Sequence, residues 1–61
     1  MTDAPRLLVE MRDRAARLHQ RAGGYRMTGE RRLARANSRA AESLLAACVE
    51  LTALAAMEGN Q

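Results

Sequence analysis

A nearly unbroken apolar tract near the C-terminus constrains this 61-residue chain more than any other feature. The tract, LLAACVELTALAAM, covers residues 44–57, and twelve of its fourteen residues are apolar. It is shorter than the about 20 residues that a membrane-spanning helix needs. We therefore expect a helix that is apolar on nearly every side, and such a helix is stable only when neighbours bury it on nearly every side.

So short a chain buries little apolar surface by itself. Below about 70–80 residues, one core rarely contributes more than about 3–5 kcal/mol, and such chains usually add disulfides, a metal or a partner. Cys48 is the only cysteine and His19 the only histidine, so we expect neither an internal disulfide nor a metal or other cofactor. Cys48 is instead expected to act as a small buried apolar residue. The remaining source of stability is a partner, either another protein or a second copy.

The N-terminal residues indicate where the protein resides. MTDAPRLLVEMRDR carries charges where the apolar segment of a signal peptide would lie. The lone thiol is also typical of a reducing compartment. We therefore expect a cytoplasmic protein without membrane contact.

The first half of the chain predicts one helix. Alanine, leucine, arginine, glutamate and methionine dominate, whereas aromatic and β-branched residues are few. The 3–4 spacing of a helical seam is followed by Leu8, Met11, Ala15, Leu18 and Ala22. We expect this helix to span residues 4 to 22, approximately, and to end at Gly23-Gly24, since glycine accepts the left-handed conformation of a C-cap.

The second half predicts a longer helix after a turn at 23–28. Thr28 is the expected N-cap, and the helix should cover about 29–58. A stripe of the same spacing runs through Leu33, Asn37, Ala40, Leu44, Ala47, Leu51 and Leu54. Two such stripes joined by a short loop predict an all-α fold, an antiparallel two-helix hairpin completed by a partner or by dimerisation into a helical bundle. A break near Asn37, giving three helices, is the alternative.

Counting outward from the expected loop gives the pairing of the helices. Leu18 should face Leu33, and Leu8 should face Leu44. Helix two then extends about 15 Å beyond the end of helix one. We expect the apolar residues around this end to bind the partner, and the candidates are Leu45, Val49, Leu51, Leu54 and Met57.

The predicted hairpin tip is strongly basic. All ten basic residues of the chain are arginines. The candidate basic patch consists of Arg17, Arg21, Arg26, Arg31, Arg32 and Arg35. Such a cluster either binds phosphate groups of RNA or DNA or forms a solvated face. Proteins that bind single strands usually add stacking aromatic residues, and Tyr25 is the only aromatic residue. Nucleic-acid binding by a homodimeric regulator is therefore the second hypothesis.

No pattern of residues indicates catalysis. The chain has no paired carboxylates, no glycine-rich phosphate loop and no nucleophile motif. In the expected hairpin, His19 and Cys48 lie roughly 24 Å apart and cannot act together. We therefore predict that the protein is not an enzyme.

The segment RAAESLLAACVEL, residues 39–51, resembles the small E-type co-chaperones of type III secretion. The preceding short helix and the glycine-containing turn are part of this resemblance. It implies a helical hairpin that packs on a tetratricopeptide-repeat chaperone, the two together holding the needle subunit unpolymerised in the cytoplasm. In architecture alone, the chain is also similar to plasmid-copy-control RNA-binding hairpins, which dimerise as four-helix bundles. A co-chaperone or adaptor is the function that we expect.

Overall fold

The computed structural model describes residues 4–59, which form two α-helices, α1 (Ala4–Met27) and α2 (Arg31–Gly59). The helices pack against each other as an antiparallel hairpin that measures 50 × 15 × 9 Å between Cα atoms. No strand occurs in residues 4–59, and α2 continues without a break through Asn37. The predicted all-α hairpin is confirmed.

The turn lies later in the chain than we predicted. α1 continues through Gly23 and Gly24 and ends at Met27. A glycine inside a helix costs about 0.5–1 kcal/mol relative to alanine, which does not by itself end a helix. The buried contact of Ala22 with α2 lies directly before the two glycines and favours continuation. The prediction that helix one ends at residue 22 was therefore wrong.

A glycine at the true end of α1 closes the helix. Gly29 has a φ of 81°, and its amide donates a hydrogen bond to the carbonyl of Arg26 at 3.2 Å. The amide of Glu30 donates to the carbonyl of Tyr25 at 2.9 Å. These two bonds and the left-handed glycine define a Schellman motif. The C-cap glycine that we expected at residues 23–24 is thus Gly29.

Thr28 ends α1 instead of starting α2. Its hydroxyl donates to the carbonyl of Tyr25 at 3.1 Å. The first helical bond of α2 runs from the amide of Ala34 to the carbonyl of Glu30, at 3.1 Å. Glu30 therefore occupies the N-cap position, and the prediction for Thr28 was wrong.

The interface between the helices is built from small residues. Its fully buried members are at most 3% exposed, and within each helix they recur every seven residues: Ala15 and Ala22 in α1, and Ala34, Ala41 and Cys48 in α2. Half-buried Leu8, Met11 and Leu18 flank them on α1, so the stripe predicted for α1 is confirmed. The burial of Cys48 is confirmed as well. Small side chains let two helix backbones approach closely, and they also bury little apolar surface.

The fully buried residues of α2 lie one residue after members of the predicted stripe, of which Asn37, Leu44 and Ala47 are half-buried. Ala34 and Ala41 are buried, whereas their neighbours Leu33 and Ala40 are exposed. Asn37 does not reach across to α1, since its side-chain amide donates to the carbonyl of Leu33 in its own helix at 2.7 Å. Leu33, which we expected to face Leu18 inside the hairpin, is about half exposed, so its predicted burial was wrong.

The pairing of the helices changes because α1 is longer at the tip. Met11 and Leu44 now line a common groove, and the guanidinium of Arg26 donates to the hydroxyl of Ser38 at 3.2 Å. α2 has 29 residues and α1 has 24. The excess of five residues corresponds to about 7.5 Å of helix, less than the about 15 Å that we expected.

The same substitution at two glycines should have opposite effects on stability. Gly24 is helical and exposed, and a Cβ there would meet no atom within 4 Å, so Gly24→Ala should stabilise the hairpin by about 0.5–1 kcal/mol. Gly29→Ala should destabilise it by about 1–2 kcal/mol, because Gly29 has a positive φ. Thermal melts followed by circular dichroism measure both changes. The reverse order of the two melting temperatures would place the helix end at Gly24.

Candidate protein-interaction surface

The last part of α2 exposes apolar side chains on all sides. Every residue from 49 to 59 is exposed, and the fully buried positions of the interface end at Cys48. The predicted partner-binding residues have large exposed fractions: Leu45 39%, Val49 70%, Leu51 37%, Leu54 54% and Met57 67%. Their burial needs atoms from outside the 56 residues of the described hairpin.

One side of this surface is an apolar groove along α2. Leu45, Val49 and Ala56 line it together with one edge of Cys48. α1 contributes a single side chain, Arg12, to its wall. The groove therefore offers an apolar floor and one cationic rim, and a partner helix with an apolar face and an acidic flank is complementary to it.

The opposite side of α2 carries exposed leucines. At 100° per residue, Leu54 lies about 140° around the helix from Val49. Leu51 lies on the same side as Leu54, and the leucine row continues through half-buried Leu44 to Leu33 near the tip. Met57 lies about 180° from Cys48 and faces away from α1. The five predicted residues therefore occupy three sides of one helix instead of one flat patch.

Several exposed apolar residues were missed by the sequence analysis. Leu33 is 46% exposed, and Leu7, next to Leu44 in a groove between the helices, is 48% exposed. The sequence analysis assigned Leu33 to the inside of the hairpin and gave Leu7 no role. The sequence does contain a signal that Leu33 is exposed, because the next residue is an alanine. A heptad stripe of small residues that begins at this alanine is equally compatible with the sequence.

The predicted basic patch is divided between two sides of the hairpin. Its six arginines are exposed. Arg17 and Arg21 line a depression on α1 together with Arg14, whereas Arg26, Arg31 and Arg35 line a second depression beside Ser38. Within residues 4–59, the single ion pair is the exposed contact of Arg6 with Glu10 at 3.9 Å. The arginines at the tip thus remain available to an anion, but they do not converge on one point.

Nothing among the described residues forms a metal-binding group. Residues 4–59 contain no cluster of three or more histidine, cysteine, aspartate or glutamate side chains. Cys48 is buried in the helix interface, and His19 is exposed on α1.

By length and composition, α2 could cross a membrane. An 18-residue window in it has a mean hydropathy of 1.5, and 11% of that window is buried. The signal is weak, because the stretch between Arg39 and Glu58 includes the exposed carboxylates of Glu42 and Glu50. A charged side chain at the centre of a bilayer costs about 2.5–3.5 kcal/mol on insertion scales.

Comparisons of the chain with protein-family models, with curated proteins and with solved structures found no match.

Proposed function

We propose that this protein is a small α-helical interaction module that buries the C-terminal half of α2 against a protein partner. The observation that carries the proposal is the uninterrupted exposure of residues 49–59, whose side chains include Val49, Leu51, Leu54 and Met57. Contiguous apolar surface of this kind usually marks a binding site. The hairpin interface cannot cover it, because α1 contributes small or half-buried residues on one side of α2 alone.

The specific form of the proposal is a cytoplasmic co-chaperone or adaptor similar to the E-type co-chaperones of type III secretion. RAAESLLAACVEL lies entirely within α2 and links the buried interface to the exposed half. A helical-repeat partner presents an extended concave surface. Such a surface would follow α2 around from the groove at Val49 to Met57, which a flat surface would not. We assign no catalytic role to the protein.

The second candidate is a homodimeric regulator that binds RNA or DNA through the arginines at the tip. Its support is the depression formed by Arg26, Arg31 and Arg35, in which no carboxylate lies within ion-pair distance among residues 4–59. We rank it lower because Arg17 and Arg21 lie on another side, and the tip supplies one aromatic residue, Tyr25, which is half-buried.

Salt separates the two candidates. The tagged chain should co-purify with a protein from the cells that naturally produce it, and the complex should survive washing with about 1 M salt, because apolar contacts are not screened. Nucleic-acid complexes lose affinity by roughly one logarithmic unit of slope per phosphate contact as salt rises. The measurement is mass spectrometry together with the 260/280 nm absorbance ratio before and after the wash. Nucleic acid as the sole co-purified component, released by the wash, would refute the first candidate.

A further inference from the structure

A heptad stripe of α2 is covered by α1 along one edge only. The stripe alternates steps of three and four residues, from Leu33 through Ala40, Leu44 and Ala47 to Leu54. α1 packs on its neighbouring edge, through Ala34, Ala41 and Cys48. The other edge, which includes Leu33, Ala40, Leu51 and Leu54, is exposed. A sustained 3–4 repeat with one free edge is typical of a helix that packs against a second helix in addition to the first.

Charge along α2 indicates which helix completes the stripe. The N-terminal part of α2 contains Arg31, Arg32, Arg35 and Arg39. From residue 43 onward, its charged residues are Glu50 and Glu58. Two parallel copies of α2 would place like charges together. Two antiparallel copies place the basic part of each on the acidic part of the other, and their helix dipoles also oppose.

We propose that a second copy of this chain packs on the free edge, with its α2 antiparallel to the first. One register satisfies both the apolar stripe and the charge pattern. In it Ala40 lies opposite Leu51 of the second copy, and Leu44 lies opposite Ala47 of the second copy. In that register Arg39 falls within two residues of a position opposite Glu50 of the second copy. The two-fold symmetry repeats each of these contacts.

This inference rests on the proposed function, because it names the occupant of one side of the apolar surface. The groove that contains Leu45 and Val49 lies on the other side of α2 and stays free for a different protein. The result is a four-helix assembly with a continuous leucine and alanine seam at its centre and two outward grooves.

Charge reversal tests the pairing. The dissociation constant of the dimer is measured by sedimentation equilibrium at low salt for the wild-type chain, Arg39→Glu, Glu50→Arg and the double variant. Each single variant should weaken the dimer by on the order of tenfold, because two symmetry-related ion pairs become repulsive, and the double variant should recover most of the loss. Arg12→Glu is the matched control. It makes the same change on α1, beside the groove with Leu45 and Val49 on the other side of α2 from the free edge, and should have little effect on the dimer.

Disulfide cross-linking tests the orientation in a Cys48→Ala background. Ala40→Cys mixed with Leu51→Cys should give a covalent heterodimer on oxidation. Each variant alone should give little cross-linked dimer, because the thiols of its two copies would lie eleven residues apart, about 16 Å. A cross-link within Ala40→Cys alone would show parallel pairing and overturn the inference.

A wild-type chain that stays monomeric at every concentration would also overturn the inference. The proposed function would still stand in that case if a protein partner co-purifies with the chain and is lost on Val49→Asp, since Val49 lies outside the self-pairing edge. Loss of self-association and of the protein partner are therefore separate outcomes.

Discussion

Replacing Ala41 with leucine should strongly destabilise the isolated hairpin. Ala41 is fully buried at the centre of the helix interface, where small side chains hold the backbones close together. A leucine there adds three carbon atoms between the helices, and such overpacking typically costs about 1–3 kcal/mol. A core of this size contributes at most about 3–5 kcal/mol. The loss is a large fraction of the total stability, so thermal melts followed by circular dichroism should show a much lower melting temperature than the parent.

Ala46→Leu is the matched control for this substitution. Ala46 is exposed on the same helix, and alanine and leucine both have high helix propensity. The control should keep the melting temperature of the parent within a few degrees. If Ala41→Leu melts like Ala46→Leu, the helices do not pack closely through their alanines and the interface that we describe is wrong.

Val49→Asp and Met57→Asp should abolish binding to the protein partner without unfolding the hairpin. Both side chains are more than half exposed, so the isolated variants should stay helical. In the complex, each carboxylate would be buried without a partner charge in place of an apolar contact. We expect a loss of at least about 3 kcal/mol, on the order of a hundredfold in Kd. Circular dichroism of each variant alone and quantitative co-purification measure the two effects.

Ala16→Asp supplies the control for the added charge. Ala16 is exposed on α1, outside the apolar surface of α2. The Ala16→Asp variant should leave both helicity and co-purification unchanged. Normal binding by Val49→Asp and Met57→Asp would show that the apolar half of α2 is not the interface, whereas unfolding of the isolated variants would show that α1 covers these residues.

The architecture and one of the two stripes could be predicted from spacing alone. In α1, large and small apolar residues share one stripe. Leucine Leu8 and alanines Ala15 and Ala22 therefore indicate the same buried face of the helix. The end of α1 could not be predicted in the same way. Gly23, Gly24 and Gly29 all suit a C-cap, and the choice depends on hydrogen bonds from Gly29 and Glu30 that form only when the chain turns there.

The stripe of α2 was ambiguous for a physical reason. Leucines at Leu33 and Leu54 and alanines at Ala34 and Ala41 form neighbouring stripes one residue apart. Hydrophobicity favours the leucines, but the hairpin packs through the alanines because they permit close contact. The exposure of the last part of α2 could be predicted, since its apolar residues exceed what one neighbouring helix can cover. The role of these residues in binding stays a prediction. The identity of the partner depends on complementary groups that another chain provides.

The alanine interface separates the residues that determine folding from those available for recognition. Ala22, Ala34 and Ala41 tolerate little change in volume, because their size sets the distance between the helices. Leu45 and Val49 contribute little to that distance, so other apolar side chains can replace them while the hairpin stays folded. Partner preference in a protein built this way can therefore change by single substitutions on one helix, while the scaffold that presents them remains the same.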